Sequence, residues 1–327
     1  MRAGYFTEYG AARDVLRVGD QPDPLPGPGE VLVRMFFSGV NPSDVKRRGG
    51  LRGRESYPLV IPHNDGAGII QAVGPGVEAT RLAERVWVYN GQRGGRAHGT
   101  CAEYMAVEAG QAVKLPDNEP LEVGACLGVP AMTAWYSLFA DGDLAGRDVL
   151  VTGGAGAVGH YAIQMARLAR AKTVITTTSG AAKAAHAETA GPTHIINYRT
   201  EDVPQQVMQI TEGRGVTRIA EVDLGGNLAM TMQVAGRKCV IGAYASGGGQ
   251  PTLPFNDMIA RDMVVRTVFC SFMEAGLRAE GTRRLTQWMA QGQIIHSISQ
   301  VLPLADLATA HELVERGKVI GKVLVKI

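Results

Sequence analysis

Residues 148–170 read DVLVTGGAGAVGHYAIQMARLAR. The stretch opens on a short apolar, β-rich run, Val149-Leu150-Val151-Thr152, passes through a glycine cluster and continues at once as a helical pattern. Gly154, Gly156 and Gly159 give the spacing GxGxxG. That spacing is weak alone in a chain with 42 glycines. Between a strand and a helix it predicts a tight turn whose following helix points its first amides at a pyrophosphate. On this reading Gly154 permits the turn, Gly156 lets a phosphate approach the backbone, and Gly159 lets the helix sit against the strand.

From Asp148 to about Phe269 the alternation continues. Strands are predicted at 148–152, 172–177, 194–197, 218–222, 238–242 and 263–268, and helices at 157–170, 180–190, 201–212 and 226–234. Strand–helix alternation argues a parallel sheet covered on both faces. Residues 1–123 read instead as β-rich. A proline–glycine segment, 21–29, leads into the apolar strand 30–37, and glycines 66, 68, 74 and 76 punctuate a pattern that suggests a small, close-packed barrel. Residues 121–140 read as a helix broken around Gly128-Val129-Pro130. After residue 270 come a helix near 274–291, a strand at 294–301, a helix near 304–316 and a closing strand at 323–327. That last strand needs a partner, and the N-terminal half is the obvious one. The expected organisation is therefore α/β: a β-rich domain over 1–123 completed by 271–327, and a doubly wound parallel-sheet domain over 124–270.

Composition narrows the function classes. The 327 residues suit two domains of about 100–200 residues each. Hydrophobic residues make up 45%, enough for two cores. A net charge of +2, from 33 basic and 31 acidic residues, leaves no nucleic-acid footprint. Cys101, Cys126, Cys239 and Cys270 are scattered and form no CxxC pair, which argues against structural zinc and disulfides. No apolar run nears the ~20 residues needed to cross a bilayer, and MRAGYFTEYG lacks the basic-then-apolar pattern of a signal peptide. The expected setting is the cytoplasm.

The second predicted strand of the parallel sheet ends Thr176-Thr177-Thr178-Ser179-Gly180, with Lys183 following. An NAD site places a carboxylate there for the ribose 2′-OH. Here the first carboxylate downstream is Glu188, inside a helix. Hydroxyls and a lysine suit a 2′-phosphate, so NADPH is the expected cofactor. Tyr198, after the third strand, adds a hydroxyl or a cover for the adenine side.

Seven segments resemble the medium-chain dehydrogenase/reductase superfamily, most closely the ζ-crystallin-type quinone oxidoreductases: GVNPSDVKRRGG (39–50), GAGIIQAVGPGV (66–77), GTCAEYMAV (99–107), VPAMTAWYSL (129–138), VTGGAGAVG (151–159), INYRTED (196–202) and GKVIGKVLVKI (317–327). The resemblance covers essentially the whole chain. It implies a GroES-like catalytic domain, a Rossmann domain, an active site in the cleft between them, hydride transfer from NADPH, and a homodimer. For that dimer, the sheet edge around Lys238–Ile241 and Met263–Val268 is the expected interface.

The positions matching the zinc ligands of metal-dependent relatives hold Asn41 and Asn64, and 90–99 carries no cysteine, so the resemblance implies a zinc-free member. His63, one residue earlier, reads as a loop or packing histidine. Asn41 matches a family asparagine near the nicotinamide, and Thr133 a family threonine there. Lys46 stands where a tyrosine is usual. It reads either as an oxyanion-stabilising group or as a solvated neighbour of Arg47 and Arg48. By the same matching, Ala155, Ala157 and Val158 line the pyrophosphate, Thr178, Ser179, Lys183 and Tyr198 surround the 2′-phosphate, and Ile241, Gly242, Ala243, Tyr244, Phe269, Cys270 and Ser271 flank the nicotinamide half. The expected reaction is reduction of a quinone or an α,β-unsaturated carbonyl, a small-molecule substrate. The alternatives are an enoyl-thioester reductase, a zinc-free alcohol dehydrogenase, or a low-turnover NADPH-binding protein with a structural or regulatory role.

Overall fold

The structure, a computed structural model, describes residues 1–51, 57–247 and 249–327. The chain divides into two compact units, Met1–Val129 with Thr282–Ile327, and Pro130–Gly281. These borders fall some residues later than the 123/124 and 270/271 read from composition. Both lie inside helices, which no change of local pattern marks.

The first unit opens with a two-stranded ribbon, β1 (Arg2–Tyr5) and β2 (Arg17–Asp20), around a short helix α1 (Ala12–Val15). Then come β3 (Glu30–Val40), α2 (Pro42–Arg48), β4 (Asp65–Val73), β5 (Arg85–Val88), β6 (Tyr104–Glu108) and β7 (Ala112–Lys114). The hub is β3. Its Val31, Val33 and Met35 alternate into a core with Ile70, Val86, Val88, Met105 and Val107, the period-2 pattern of a half-buried strand.

Helix α3 (Gly124–Phe139) follows and spans the border between the units. It runs through Pro130 without the expected break. Pro130 brings no N–H, and the N–H of Val129 donates to the Asp65 carboxylate at 2.7 Å.

The second unit holds β8 (Asp148–Val151), α4 (Ala157–Leu168), β9 (Thr173–Thr178), α5 (Ala181–Glu188), β10 (His194–Asn197), α6 (Val203–Ile210), β11 (Val216–Glu221), α7 (Leu224–Val234), β12 (Ala235–Ala243), α8 (Phe255–Ala260) and β13 (Val264–Thr267). The six strands form one parallel sheet in the order β10-β9-β8-β11-β12-β13. Strand β8 is buried along its whole length, as a strand covered on both faces must be. Order reverses between β8 and β11, and that switch point is where open α/β sheets bind ligands. One expectation is corrected here: Lys238–Ile241 is no sheet edge. β12 lies between β11 and β13, and only β13 presents an open edge on that side.

Helix α9 (Ala275–Ala290) again spans the border, and β14 (Ile298–Pro303), α10 (Leu307–Glu315) and β15 (Lys322–Lys326) complete the first unit. As predicted for a closing strand, β15 pairs antiparallel with β3, Val323 opposite Val40 and Leu324 opposite Gly39. The first unit's larger sheet therefore runs β14-β15-β3-β4-β5-β7, with β6 also on β3. Among the described residues, no helix is long and apolar enough to cross a membrane.

Candidate functional site

In the second unit the glycine turn joins β8 to α4. The residue with left-handed backbone is Gly153 (φ 69°), not Gly154, so the turn itself depends on Gly153. Gly154 is required by packing: a Cβ there would fall on the Thr176 hydroxyl and 2.8 Å from Ile163 Cδ1. A Cβ on Gly159 would lie 2.9 Å from Gly154 Cα, so the helix is pressed against the turn rather than the strand. Gly156 differs. Its Cβ would meet only the Gly153 carbonyl, at 3.3 Å, leaving the other side open. Gly156 is the N-cap of α4, and no side chain caps the helix there. Ala157, Val158 and Gly159 supply the first amides of this 12-residue helix, the end of a helix that favours an anion. Ala155, in the turn before them, is buried.

At the carboxyl end of β9, Thr178 is buried and its hydroxyl has no partner among the described residues. A buried hydroxyl at a strand end can serve as a donor or an acceptor. Ser179 and, on the first turn of α5, Lys183 follow it in the chain and are half-buried, and Tyr198, its backbone N–H on the Thr178 carbonyl at 3.1 Å, is half-exposed. The carboxyl ends of β12 and β13 bring in Ile241–Tyr244 and Phe269–Ser271 on the same side of the sheet. Burial raises the Tyr244 phenol, with the Glu221 charge adding to it. Phe269 is exposed and packs edge-on against Phe272 at 5.0 Å.

Sequence reading missed Glu221. It ends β11 fully buried, and its carboxylate accepts from Thr152 Oγ1 (3.0 Å), the Asp223 amide (2.7 Å), Asn227 Nδ2 (2.7 Å) and Thr231 Oγ1 (3.1 Å). Four donors make a buried carboxylate tolerable and pin the loop at the switch point. The signal was an acid directly after the apolar pair Ile219-Ala220 at the strand's end.

The first unit holds a polar cluster at the end of β3. Continuing the β15–β3 register one step past Val323–Val40 sets Lys322 across from Asn41, while Gly39 faces Asp65 on β4. Opposed residues share a face, so all three side chains meet. Lys322 Nζ donates to Asn41 Oδ1 and to Asp65 Oδ2 (2.9 Å), and Asn41 Nδ2 donates to Asp65 Oδ2 (2.7 Å). The other Asp65 oxygen takes the Val129 amide. Burial pushes Asp65 above the ordinary carboxylate range, and the Lys322 ammonium opposes that rise. Asp44, also buried and raised by burial, accepts from the Asn41 amide N–H (2.8 Å) and from Asn64 Nδ2 (3.0 Å). Asn64 Oδ1 accepts from the Gln92 amide at 3.1 Å. Neither Lys322 nor Asp65 was singled out from sequence.

Ser38 has the opposite parity along β3 and faces the other way, into a neutral chain. Thr100 Oγ1 donates to the Asp65 carbonyl (2.6 Å), so it accepts from Ser38 (2.7 Å), and Ser38 accepts from His63 Nδ1 (2.8 Å). His63 Nε2 therefore carries a lone pair, and His311 Nε2–H donates to it at 2.9 Å. Both imidazoles are fully buried, and burial, the largest cause, holds His63 near 3 and His311 well below the usual value. His63 adopts φ 80°. The expected packing histidine is thus a link in a five-group chain.

Of the three candidate catalytic residues, Asn41 is buried in the first unit, Lys46 on α2 is exposed, and Thr133 is buried in the second unit, on α3. The chemistry of the donor set at Asn41 and Asn64 does not suit zinc. Both are amides with bonds already made; of the two adjoining carboxylates, Asp65 holds an ammonium and Asp44 already accepts from Asn64 and from the Asn41 amide. Among the described residues, no group of three or more His, Cys, Asp or Glu is arranged to hold a metal.

Known families bear on these two sites. The pattern of the alcohol dehydrogenase GroES-like domain matches residues 27–117, and that of the zinc-binding dehydrogenase family matches residues 190–325. The chain is 30% identical to a zinc-type alcohol dehydrogenase-like protein of Schizosaccharomyces pombe, over 92% of this chain and 91% of that one. It is 28% identical to a human quinone oxidoreductase over 97% and 94%. A mycobacterial protein solved in complex with NADPH is 27% identical and superposes over the whole of both chains with a TM-score of 0.87. The chain belongs to the medium-chain dehydrogenase/reductase superfamily, in its quinone oxidoreductase-like family of oxidoreductases.

Proposed function

We propose that this oxidoreductase is NADPH-dependent and zinc-independent, and that it delivers hydride to a quinone or to a double bond conjugated with a carbonyl. The end of β9 carries the reading. Thr178 offers a buried hydroxyl with no partner among the described residues, Ser179 and Lys183 follow it, and no carboxylate lies between Thr178 and Glu188. A 2′-phosphate needs donors and positive charge, and a 2′-OH needs the missing acid.

The first amides of α4, at Ala157, Val158 and Gly159, would hold the pyrophosphate, and Gly156 leaves it room. NADPH, when bound, supplies the hydride; the chain's own residues bind, orient and set the field. Asn41 and Thr133 would orient the reacting end. Lys46, exposed and one turn into α2, would meet the oxygen on which charge develops. The donor set at Asn41, Asn64 and Asp65 supports a reaction run without zinc.

For assembly we propose a homodimer through the open edge of β13. Exposed Val264 lies on that strand, and exposed Phe255 and Ile259 lie on the adjoining α8. Sedimentation at micromolar concentration would read twice the chain mass, and a monomer there would remove the dimer.

The decisive experiment is a spectrophotometric screen of NADPH oxidation with naphthoquinones, 2-alkenals and a crotonyl thioester. Turnover with a quinone or enal is expected. Turnover with the thioester alone would make it an enoyl-thioester reductase. NADP⁺ reduction by alcohols alone would make it an alcohol dehydrogenase. Tight NADPH binding with no turnover of any acceptor would make it a binding protein. Activity that a chelator abolishes and zinc restores would overturn the metal-free reading.

A further inference from the structure

We propose that Lys322 is a positioning residue for the reduction, acting through the amide of Asn41; this rests on the reading that Asn41 meets the reacting end. The observation is a closed ring of three side chains from three separate strands or strand ends. The ammonium faces Asn41 Oδ1, the carboxylate of Asp65 faces Asn41 Nδ2, and the ammonium and carboxylate face each other at 2.9 Å.

A buried ion pair is a poor device for stability alone, because apolar residues of similar volume fill the same space as well. It is a good device for orienting an amide. Turning Asn41 over would set its carbonyl against the carboxylate and its NH₂ against the ammonium, so only one orientation is allowed. Without Lys322 the constraint from this ring is lost, and only the contacts with Asp44 at the start of α2 still bear on the amide. A lone carboxylate in that environment takes up a proton, and a carboxylic acid both donates and accepts. Either orientation of Asn41 then finds a partner at Asp65, and neither finds one where the ammonium stood.

The surroundings are shaped for this ring. A Cβ on Gly39 would lie 2.9 Å from Lys322 Cε, and a Cβ on Gly128 would lie 2.7 Å from Asp65 Cγ. Two glycines, one on β3 and one in α3, thus open the space in which stem and carboxylate lie. The lysine side chain is 4% exposed and the aspartate 0%. Two of its three ammonium protons go to ring partners, and no third partner is found among the described residues.

The test compares wild type with Lys322→Met, Lys322→Arg and the double variant Lys322→Met/Asp65→Leu. Steady-state NADPH oxidation is measured with whichever naphthoquinone or 2-alkenal the wild type reduces, alongside NADPH affinity by fluorescence and thermal unfolding. Lys322→Met should lose about a hundredfold in kcat, the scale of a small misplacement at a reacting centre, with NADPH affinity held within about twofold. Lys322→Arg should recover to within about fivefold of wild type, since charge and donors return. The double variant should regain the unfolding temperature but not the turnover.

The proposal falls if Lys322→Met keeps kcat within about threefold of wild type. It falls equally if the double variant regains stability and turnover together, because the pair then only holds the fold. Should Lys322→Met fail to fold, the double variant and Lys322→Arg decide. A wild type that binds NADPH and reduces nothing overturns the reductase reading and this proposal with it; an active wild type with an indifferent Lys322 overturns this proposal alone.

Discussion

The glycine turn of the second unit and the polar cluster of the first are built in opposite ways. The turn is a site of backbone: amides of Ala157, Val158 and Gly159, with glycines chosen for what a side chain would obstruct. Its parts are contiguous. The cluster is a site of side chains. Asn41, Asp65 and Lys322 come from positions up to 281 residues apart and meet only because β3 pairs with β4 on one side and β15 on the other. A backbone site fails when something is added; a side-chain site fails when something is removed.

The largest expected effect breaks the backbone site by addition. Gly154→Val puts branched carbon onto the Thr176 hydroxyl and Ile163. It should cost roughly 3 kcal/mol of stability, the upper range for overpacking, and abolish NADPH binding. Gly156→Ala is the control. Its Cβ meets only the Gly153 carbonyl at 3.3 Å, so the fold should hold while NADPH affinity falls about tenfold from crowding at the phosphate. Thermal unfolding with and without NADPH reads both. If the two variants behave alike, Gly154 and Gly156 do not divide the work between packing and ligand access.

This contrast governs how much of the molecule was legible in its sequence. Strand β8, the turn and α4 were read nearly to the residue, because apolar run, glycine spacing and helical period sit side by side. The closing strand's return to the N-terminal half was legible too, since an apolar strand needs a partner; that the partner is β3 was not. Which glycine turns the chain was misread, because spacing does not distinguish a left-handed φ at Gly153 from tight packing at Gly154. The edge was half misread, because strand order in a parallel sheet is set by helix crossovers and not by the strand's own residues. Lys322, Asp65, His311 and Ser38 were silent. A lysine in Lys-Val-Leu-Val-Lys looks solvated until the register places it opposite Asn41. His63 drew notice only for its nearness to a ligand position, and its partner His311 lies 248 residues on.

The next effect breaks the side-chain site by protonation, on the neutral face of β3. His63 is held near 3 against an ordinary 6.5, chiefly by burial. Protons therefore bind the unfolded chain first as pH falls from 6.5 towards 3, and stability is full above 6.5 and lost through that window. The loss from His63 is roughly 2 kcal/mol at pH 5, and His311, shifted the same way, adds to it. Urea unfolding at pH 7.5 and pH 5 measures it. The variant His63→Gly/His311→Leu should be less stable than wild type at pH 7.5 but lose less on acidification; the glycine suits φ 80° at that position. Equal losses in the two proteins would mean that other groups set the acid sensitivity.

The smallest effect sharpens the contrast within the cofactor site itself, where one end uses backbone and the other side chains. Pyrophosphate is common to NADPH and NADH, so changes at the glycine turn should weaken both alike. The 2′-phosphate is not shared, and Lys183 is the cation at the start of α5, following Thr178 and Ser179 in the chain. Lys183 is half-buried, so its attraction to a phosphate is partly screened and falls with salt. Lys183→Ala should therefore weaken NADPH about tenfold, near 1.4 kcal/mol, and leave NADH unchanged. The loss should shrink as salt is raised. Equal weakening of both cofactors would place Lys183 at the shared part of the molecule, and no change in either would return it to the solvent-facing side of α5. The buried Thr178 hydroxyl would then be left as the main discriminator, and Thr178→Val would be the substitution that erases the preference.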